Sequence, residues 1–153
     1  MTTGRLAGIA RHGLPKGPME TLDHVAVTTA EGVHGDFRGG LASSKPSRKR
    51  QVSLIEADGV RKAMAEAGAL LDWWDCRRNL LVEGVRLPRT VGARVQVGKS
   101  LVVEITDECE PCERMDALHT GLRAALTPDW RGGFLGRVIQ DGEIAVGDEI
   151  RIL

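Results

Sequence analysis

Apolar and polar residues alternate over many short stretches of the chain, which is the period of a half-buried β-strand. β-Branched residues are frequent in several of these stretches, and Gly, Pro and Asp separate them. The stretches that predict strands are residues 4–10, 22–28, 51–55, 79–83, 93–97, 101–106, 133–139 and 149–153. Glycine-containing turns at residues 97–100, 140–142 and 146–148 separate the later strands.

Two stretches have the period of an amphipathic helix instead. From Glu56 onward, apolar residues recur at helical spacing, at Val60, Met64, Ala67 and Leu71. A second helix is predicted where Met115, Leu118, Leu122 and Leu126 share one face.

Residues 32–50 are dense in Gly, Ser, Pro and basic residues, and we predict a loop there. Asp36 is the one acidic residue to balance the basic side chains, which are Arg38, Lys45, Arg48, Lys49 and Arg50. A connection of this length in a compact domain is usually functional or disordered. Two interpretations stay open, a solvated loop and a lid that contacts an anion.

Many short strands, 19 glycines and two or three helices predict a mainly β fold rather than a doubly wound sheet. We expect a closed barrel with mixed or antiparallel strands, because closure removes exposed sheet edges. The length of 153 residues predicts a single domain over residues 1–153.

Charge and composition exclude several classes of protein. Lys plus Arg and Asp plus Glu are both 21, so the net charge is zero and we expect no nucleic-acid partner. No apolar run approaches the roughly 18 residues of a membrane span, and the first residues lack the apolar stretch of a secretory signal. We therefore expect a cytoplasmic protein without a membrane partner. Its three cysteines, Cys76, Cys109 and Cys112, indicate thiol chemistry rather than a disulfide framework.

The pair Cys109 and Cys112 lies between a predicted strand and a predicted helix. Proline is favoured at the first helical position, so we expect Pro111 there and Cys112 in the first turn. A helix N-terminus favours a thiolate at Cys112. Nearby carboxylates oppose that effect, namely Glu108, Glu110, Glu113 and Asp116.

Four interpretations of this pair stay open. Both cysteines are packing residues without chemistry, or they bind structural zinc together with Cys76 and His119. Alternatively, they form a C-x-x-C dithiol redox centre. In the last interpretation, Cys112 is a single thiolate that binds a soft metal or carries sulfur, with Cys109 auxiliary.

Five blocks in a fixed order resemble the MOSC domain, the domain related to the C-terminal part of molybdenum cofactor sulfurases. They are GVHGD at 32–36, RQVSLIE at 50–56, RNLLVEGV at 78–85, PC at 111–112, and GFLGRV at 133–138 followed by GEI at 142–144 and GD at 147–148. The resemblance covers the chain from about residue 32 to the C-terminus and implies a mostly β fold around a closed barrel.

The same resemblance implies a molybdenum cofactor, the metal bound by a pterin dithiolene. The family's key cysteine lies in a Pro-Cys pair before a helix, so Cys112 is the implied metal ligand or sulfur carrier. Implied activities are sulfur transfer to the cofactor and molybdenum-dependent reduction of N-hydroxylated compounds. The implied partners are a cysteine desulfurase or a molybdoenzyme, and a non-enzymatic carrier or docking module is the alternative.

The sequence departs from the family pattern before the Pro-Cys pair. Many relatives carry a basic residue there, whereas this chain has Glu108, Cys109 and Glu110. The additional Cys109 suggests a second catalytic thiol that could resolve an oxidised or persulfide form of Cys112.

The cofactor's phosphate requires hydrogen-bond donors, and arginine is well suited to this. The candidate cofactor-binding residues are Arg38, Arg77, Arg78, Asn79, His34, Asp36 and Gly133. Plain structural roles remain alternatives: solvated surface charges for Arg77 and Arg78, and a turn position for His34. For Asn79 the alternative is an amide that satisfies backbone groups before a strand.

Overall fold

A computed structural model describes residues 2–153, and it contains eleven strands and four α-helices. The strands are β1 (Thr3–Arg11), β2 (Glu20–Leu22), β3 (His24–Thr28), β4 (Gly32–Val33), β5 (Val52–Glu56), β6 (Leu80–Glu83), β7 (Arg94–Val97), β8 (Leu101–Glu108), β9 (Phe134–Gln140), β10 (Gly142–Ala145) and β11 (Glu149–Ile152). The helices are α1 (Phe37–Ser43), α2 (Ala57–Ala67), α3 (Glu113–Leu118) and α4 (Leu122–Leu126), with short 3₁₀ helices at Trp73–Cys76 and Pro128–Trp130.

Seven strands close into a barrel in the order β11, β7, β8, β9, β5, β6 and β1, and β1 pairs again with β11. Only the β5–β6 pair of this ring is parallel, and α2 lies in the connection between these two strands. The other six pairs are antiparallel. Strand β2 extends the ring beside β1, and β10, β3 and β4 form a second small sheet. The predicted closed, mixed, mainly β barrel is confirmed.

Strand β5 is buried on both faces and separates two apolar clusters. Val52 and Leu54 belong to the cluster that includes Phe134 of β9. Ile55 points the other way, into a second cluster formed with α2 and α4. Alternation along a strand places neighbouring side chains on opposite faces, so the two helices cover the outer face of this strand.

The prediction of a loop throughout residues 32–50 was wrong. The segment contains strand β4 and helix α1. Helix α1 begins after Asp36, whose side chain accepts a hydrogen bond from the amide of Gly39. Val33 and Ala42 are both fully buried, so the segment contributes to the core despite its polar composition.

The helix predicted across Met115 to Leu126 is two helices. It is interrupted where Gly121 adopts a φ of 92°, a left-handed conformation that glycine tolerates. Helix α3 begins at Glu113, with Cys112 as its N-cap in an extended conformation. The expected placement of Pro111 at the first helical position and of Cys112 in the first turn was therefore wrong by two residues.

Smaller differences have equally local causes. Helix α2 ends before Leu71 because Gly68 caps it with a φ of 69°. The strand predicted over residues 22–28 is divided at Asp23 between β2 and β3, which belong to different sheets. Strand β10 was not predicted, since Gly142 was assigned to a turn and the next three residues lie between two predicted turns.

No helix within residues 2–153 has both the length and the apolar character needed to cross a bilayer.

The buried side chain of Asn79 ties together the part of the barrel where β1, β5 and β6 meet. Its Oδ1 accepts hydrogen bonds from the Ser53 amide at 3.0 Å and the Ser53 hydroxyl at 3.2 Å. Its Nδ2 donates to the Ala10 carbonyl at 3.1 Å and to Asp36 Oδ1 at 3.2 Å. Because Asp36 also caps α1, one amide joins three strands to a helix.

We expect Asn79→Ala to lower the free energy of unfolding by about 3 kcal/mol, because it leaves buried groups at Ser53, Ala10 and Asp36 without their partner. Urea denaturation followed by circular dichroism measures this change. Gln140→Ala is the matched control, since the exposed Gln140 amide makes one bond to the Ser100 carbonyl. Equal effects of the two substitutions would contradict the role of Asn79.

Candidate functional site

A cavity of about 350 Å³ opens where five separate segments of the chain meet. These segments are the turn after β1, the start of α1, the residues just before β5, the end of the first 3₁₀ helix with the residues after it, and the start of α3. Its lining residues are His12, Pro15, Lys16, Phe37, Arg38, Arg50, Cys76, Arg77, Arg78, Cys112, Arg114 and Met115. We call it the cationic cavity.

Six of these lining side chains are cationic, and among the described residues no carboxylate joins them in the lining. They are Lys16, Arg38, Arg50, Arg77, Arg78 and Arg114. Like charges gathered around one cavity repel one another, and an anion bound among them relieves that repulsion. The cavity is therefore suited to an anionic ligand, although the net charge of the chain is zero.

Backbone carbonyls hold two of the arginines in place. The Nε of Arg78 donates to the Gly132 carbonyl at 2.8 Å, and its Nη1 donates to the Cys76 carbonyl at 2.7 Å. The Nη2 of Arg50 donates to the carbonyl of Arg77 at 3.0 Å. Carbonyl acceptors orient a guanidinium without neutralising its charge, so the positive charge of the cavity is retained.

Two buried nitrogens of arginines that line the cationic cavity, Nε of Arg50 and Nη2 of Arg77, have no hydrogen-bond partner within residues 2–153. The pKa of Arg50 is lowered to about 10, mainly by burial, and the charges of Arg78 and Arg38 act in the same direction. Burial also lowers the pKa of Arg77, as do the charges of Arg114 and Arg38. Both guanidinium groups remain protonated at neutral pH, so both lining residues keep their positive charge.

The three cysteines are free and lie in different environments. Cys112 is exposed and lines the cationic cavity. Cys76 also lines it but is fully buried, and burial raises the pKa of its thiol to about 11. Cys109 is buried and lies outside the lining, with its backbone amide bonded to the Gly133 carbonyl.

Among the residues predicted for the site, the structure brings Arg38, Arg77, Arg78 and Cys112 together at this cavity. Cys109 and the other four candidates, His34, Asp36, Asn79 and Gly133, do not line it.

Those four residues have structural contacts. The Nε2 of His34 lies 3.0 Å from the Thr28 hydroxyl and 3.1 Å from a carboxylate oxygen of Glu31. Asp36 and Asn79 belong to the buried network described above. Gly133 has a φ of 115° and packs so closely on β5 that an added Cβ would lie 2.5 Å from the Leu54 carbonyl oxygen.

Sequence reasoning missed His12, Lys16 and Arg114 as residues of the site. His12 and Lys16 lie in the Gly/Pro-rich turn after β1, where the sequence signals only a turn. Arg114 had a weak signal, since it follows Cys112 by two residues. Cys76 was considered only as a zinc ligand.

The zinc interpretation has no support in the geometry. No group of three or more His, Cys, Asp or Glu side chains able to hold a metal occurs within residues 2–153. The Nε2 of His119 instead lies 2.9 Å from the carbonyl oxygen of Ala67.

Solved structures of similar fold come from several bacteria. YuaD from Bacillus subtilis superposes with a TM-score of 0.80 at 17% identity, covering 98% of this chain and 95% of that one. YiiM from Geobacillus stearothermophilus has a TM-score of 0.70 at 17% identity, with 97% and 74% covered. YiiM from Escherichia coli has a TM-score of 0.67 at 13% identity, with 97% and 69% covered. At these identities the likeness establishes the fold, and no curated protein matches the chain.

The family model of the MOSC domain matches residues 30–151, which include the β5–α2–β6 crossover, the arginines after the first 3₁₀ helix and Cys112. The match covers most of the 153 residues. The chain therefore belongs to the MOSC domain family.

Proposed function

We propose that this chain binds a molybdenum cofactor in the cationic cavity, with the thiolate of Cys112 as a ligand to the metal. The observation that carries the proposal is the composition of the cavity: six cationic side chains and one exposed thiol, without a carboxylate among its described lining residues. The MOSC family is associated with this cofactor. The phosphate of the cofactor matches the cationic side chains of the cavity, and its metal matches the thiol of Cys112.

The phosphate of the cofactor would be held by arginines. Arg50 and Arg77 both line the cavity, and charge-assisted hydrogen bonds to phosphate are interactions that guanidinium groups make well. Arg38 and Arg114 line the same cavity and add positive charge. A neutral ligand would leave these four charges uncompensated.

Cys112 supplies the ligand that suits the metal. Thiolate is a soft donor that molybdenum accepts beside the dithiolene sulfurs. The helix N-terminus contributes little to this role, because α3 has only six residues and Cys112 makes no side-chain capping bond. The cations of the cavity are therefore the electrostatic partners of the proposed thiolate.

The proposed activity is reduction of N-hydroxylated compounds, for which the bound cofactor supplies the electrons. A second candidate function is the carriage of sulfur on Cys112 for transfer to the cofactor. Exposure of this thiol favours that candidate, since a donor such as a cysteine desulfurase must reach the sulfur it loads. A dithiol reaction with Cys109 has no comparable support, because Cys109 is buried and outside the cavity lining.

We expect protein purified from a host that makes the cofactor to contain about one molybdenum and one pterin per chain, measured by mass spectrometry of the metal and pterin fluorescence. Cys112→Ser should remove most of the molybdenum because oxygen is a poorer ligand than thiolate. Arg77→Gln should weaken retention of the pterin about tenfold to a hundredfold, the worth of one charged hydrogen bond.

Arg94→Gln is the matched control for the arginine, because Arg94 is exposed and pairs with Glu104 away from the cavity. This variant should retain both components at the wild-type level. Wild-type protein that lacks molybdenum and pterin after anaerobic purification from such a host would refute the proposal.

The difference in thiol exposure gives a separate prediction. At pH 8 the native protein should react rapidly with one equivalent of an aromatic disulfide reagent, at Cys112. The buried Cys76 has a pKa of about 11 and stays protonated, and Cys109 is also buried. Unfolding in guanidinium should expose all three thiols, and Cys112→Ser should abolish the rapid phase.

Sulfur carriage is tested on the same thiol. Incubation with a cysteine desulfurase and cysteine should add 32 Da, the mass of one sulfur, to wild-type protein as about one labile atom per chain, and Cys112→Ser should prevent it. The absence of any reductant-labile added sulfur on wild-type protein would exclude this second candidate.

A further inference from the structure

His12 is a buried histidine that lines the cationic cavity, and neither proposed function uses it. It follows directly after β1 and is only 6% exposed. Its backbone is fixed on both sides, because its amide donates to Asp36 Oδ1 at 3.2 Å and its carbonyl accepts from the Phe37 amide at 2.8 Å. The imidazole lies 6.4 Å from the Phe37 ring, centre to centre.

The hydrogen bond of the imidazole determines which ring nitrogen carries its proton. Nδ1 lies 2.8 Å from the carbonyl oxygen of Leu14, and a carbonyl oxygen can only accept. Nδ1 is therefore the protonated nitrogen, and the neutral ring has its lone pair on Nε2. Within residues 2–153, Nε2 makes no hydrogen bond, and His12 is one of the residues that line the cavity.

The arginines and cysteines around the cationic cavity are poor proton donors to a substrate. Arginine does not give up its proton in proteins, and the pKa of Arg50 is still about 10. Cys76 is buried with a pKa of about 11, and Cys112 is assigned to the metal in the proposed function. The charged groups that line the cavity with His12 are Lys16, Arg38, Arg50, Arg77, Arg78 and Arg114, and Asp36 accepts from its backbone amide. Imidazole is the side chain most often used for general acid–base catalysis.

We propose that Nε2 of His12 is the proton donor to the substrate in this cavity, an inference that rests on the proposed reduction of N-hydroxylated compounds. The balanced reaction is R–NH–OH + 2 e⁻ + 2 H⁺ → R–NH₂ + H₂O. The N–O bond breaks, the nitrogen gains an N–H bond, and the hydroxyl leaves as water. His12, protonated at Nε2, gives one proton to the leaving oxygen and regains it from solvent, and solvent supplies the second proton, which forms the new N–H bond.

The electrons in this reaction come from the bound cofactor, which an external one-electron donor such as reduced methyl viologen replenishes. His12 itself undergoes no redox change. Its Nδ1–H bond to Leu14 keeps the ring orientation constant while Nε2 loses and regains its proton.

The first test does not depend on activity. Long-range ¹H–¹⁵N spectra of cofactor-free protein, recorded with the histidine rings neutral, should show the Nδ1-protonated tautomer for one histidine, assigned by its loss in His12→Asn. Addition of inorganic phosphate should shift the Nε2 resonance of His12, since we expect phosphate to bind in the cavity that His12 lines. An Nε2-protonated ring, or an Nε2 resonance unchanged at saturating phosphate, would overturn the inference.

The second test measures turnover of cofactor-loaded protein with reduced methyl viologen and benzamidoxime. An Asn side chain can still donate to the Leu14 carbonyl but has no Nε2, so His12→Asn should keep molybdenum, pterin and unfolding midpoint while kcat falls about 10²-fold. His12→Ala should be equally slow and should recover part of its activity when imidazole is added. His24→Asn is the matched control, because His24 is exposed at the start of β3 and lies outside this cavity.

The outcomes separate this inference from the proposed function. Loaded His12→Asn protein with kcat within threefold of wild type would overturn the role of His12 and leave cofactor binding intact. Wild-type protein that loads the cofactor but does not reduce benzamidoxime would likewise overturn it. Wild-type protein that loads no cofactor would refute the proposed function itself, and the proton-donor role with it.

Discussion

The side-chain amide of Asn79 is the interaction on which the remaining structure depends most directly. It saturates backbone groups of β1 and β5 and contacts the carboxylate that caps α1. That same carboxylate, Asp36, accepts from the His12 amide. Asn79 does not line the cationic cavity, yet the elements that build the cavity are positioned through it. A buried amide with four good partners is well suited to this, because each unmet partner would cost free energy.

The cationic cavity beside this network is an arrangement that costs free energy by itself. Six cations share one cavity, two of their nitrogens are buried without a partner in the described part of the chain, and Arg77 holds a left-handed φ of 63°. A residue other than glycine in that conformation costs about 1–3 kcal/mol. Barrel closure and the two apolar clusters supply the stability that offsets this cost. Strain and unpaired donors at one place are typical of a site shaped for a ligand.

The tertiary structure, rather than the C-x-x-C motif, decides which of the three cysteines are neighbours and which are accessible. The C-x-x-C spacing makes Cys109 and Cys112 a pair in the sequence, and both residues follow shortly after β8. In the folded chain, the cysteine that shares the cavity with Cys112 is Cys76, which comes from a different segment. Burial then separates the three thiols further, because it raises the pKa of Cys76 while Cys112 stays exposed. A single accessible sulfur therefore faces the cationic cavity.

The sequence alone determined the elements whose residues repeat with a clear period and the family to which they belong. Alternation along β5 and β8 and helical spacing along α2 are local properties, so the closed barrel and helix α2 could be predicted. Cys112, Arg77 and Arg78 were also singled out from the sequence, and the structure places all three at one cavity. Helix α1 escaped prediction because tertiary burial, rather than its composition, stabilises it. Only the tertiary structure decided which residues share the cavity, since its lining comes from segments separated by up to about a hundred positions. His12 joins Cys112 there because the end of β1 and the start of α3 lie at the same place in space, a relation that no local period of the sequence encodes.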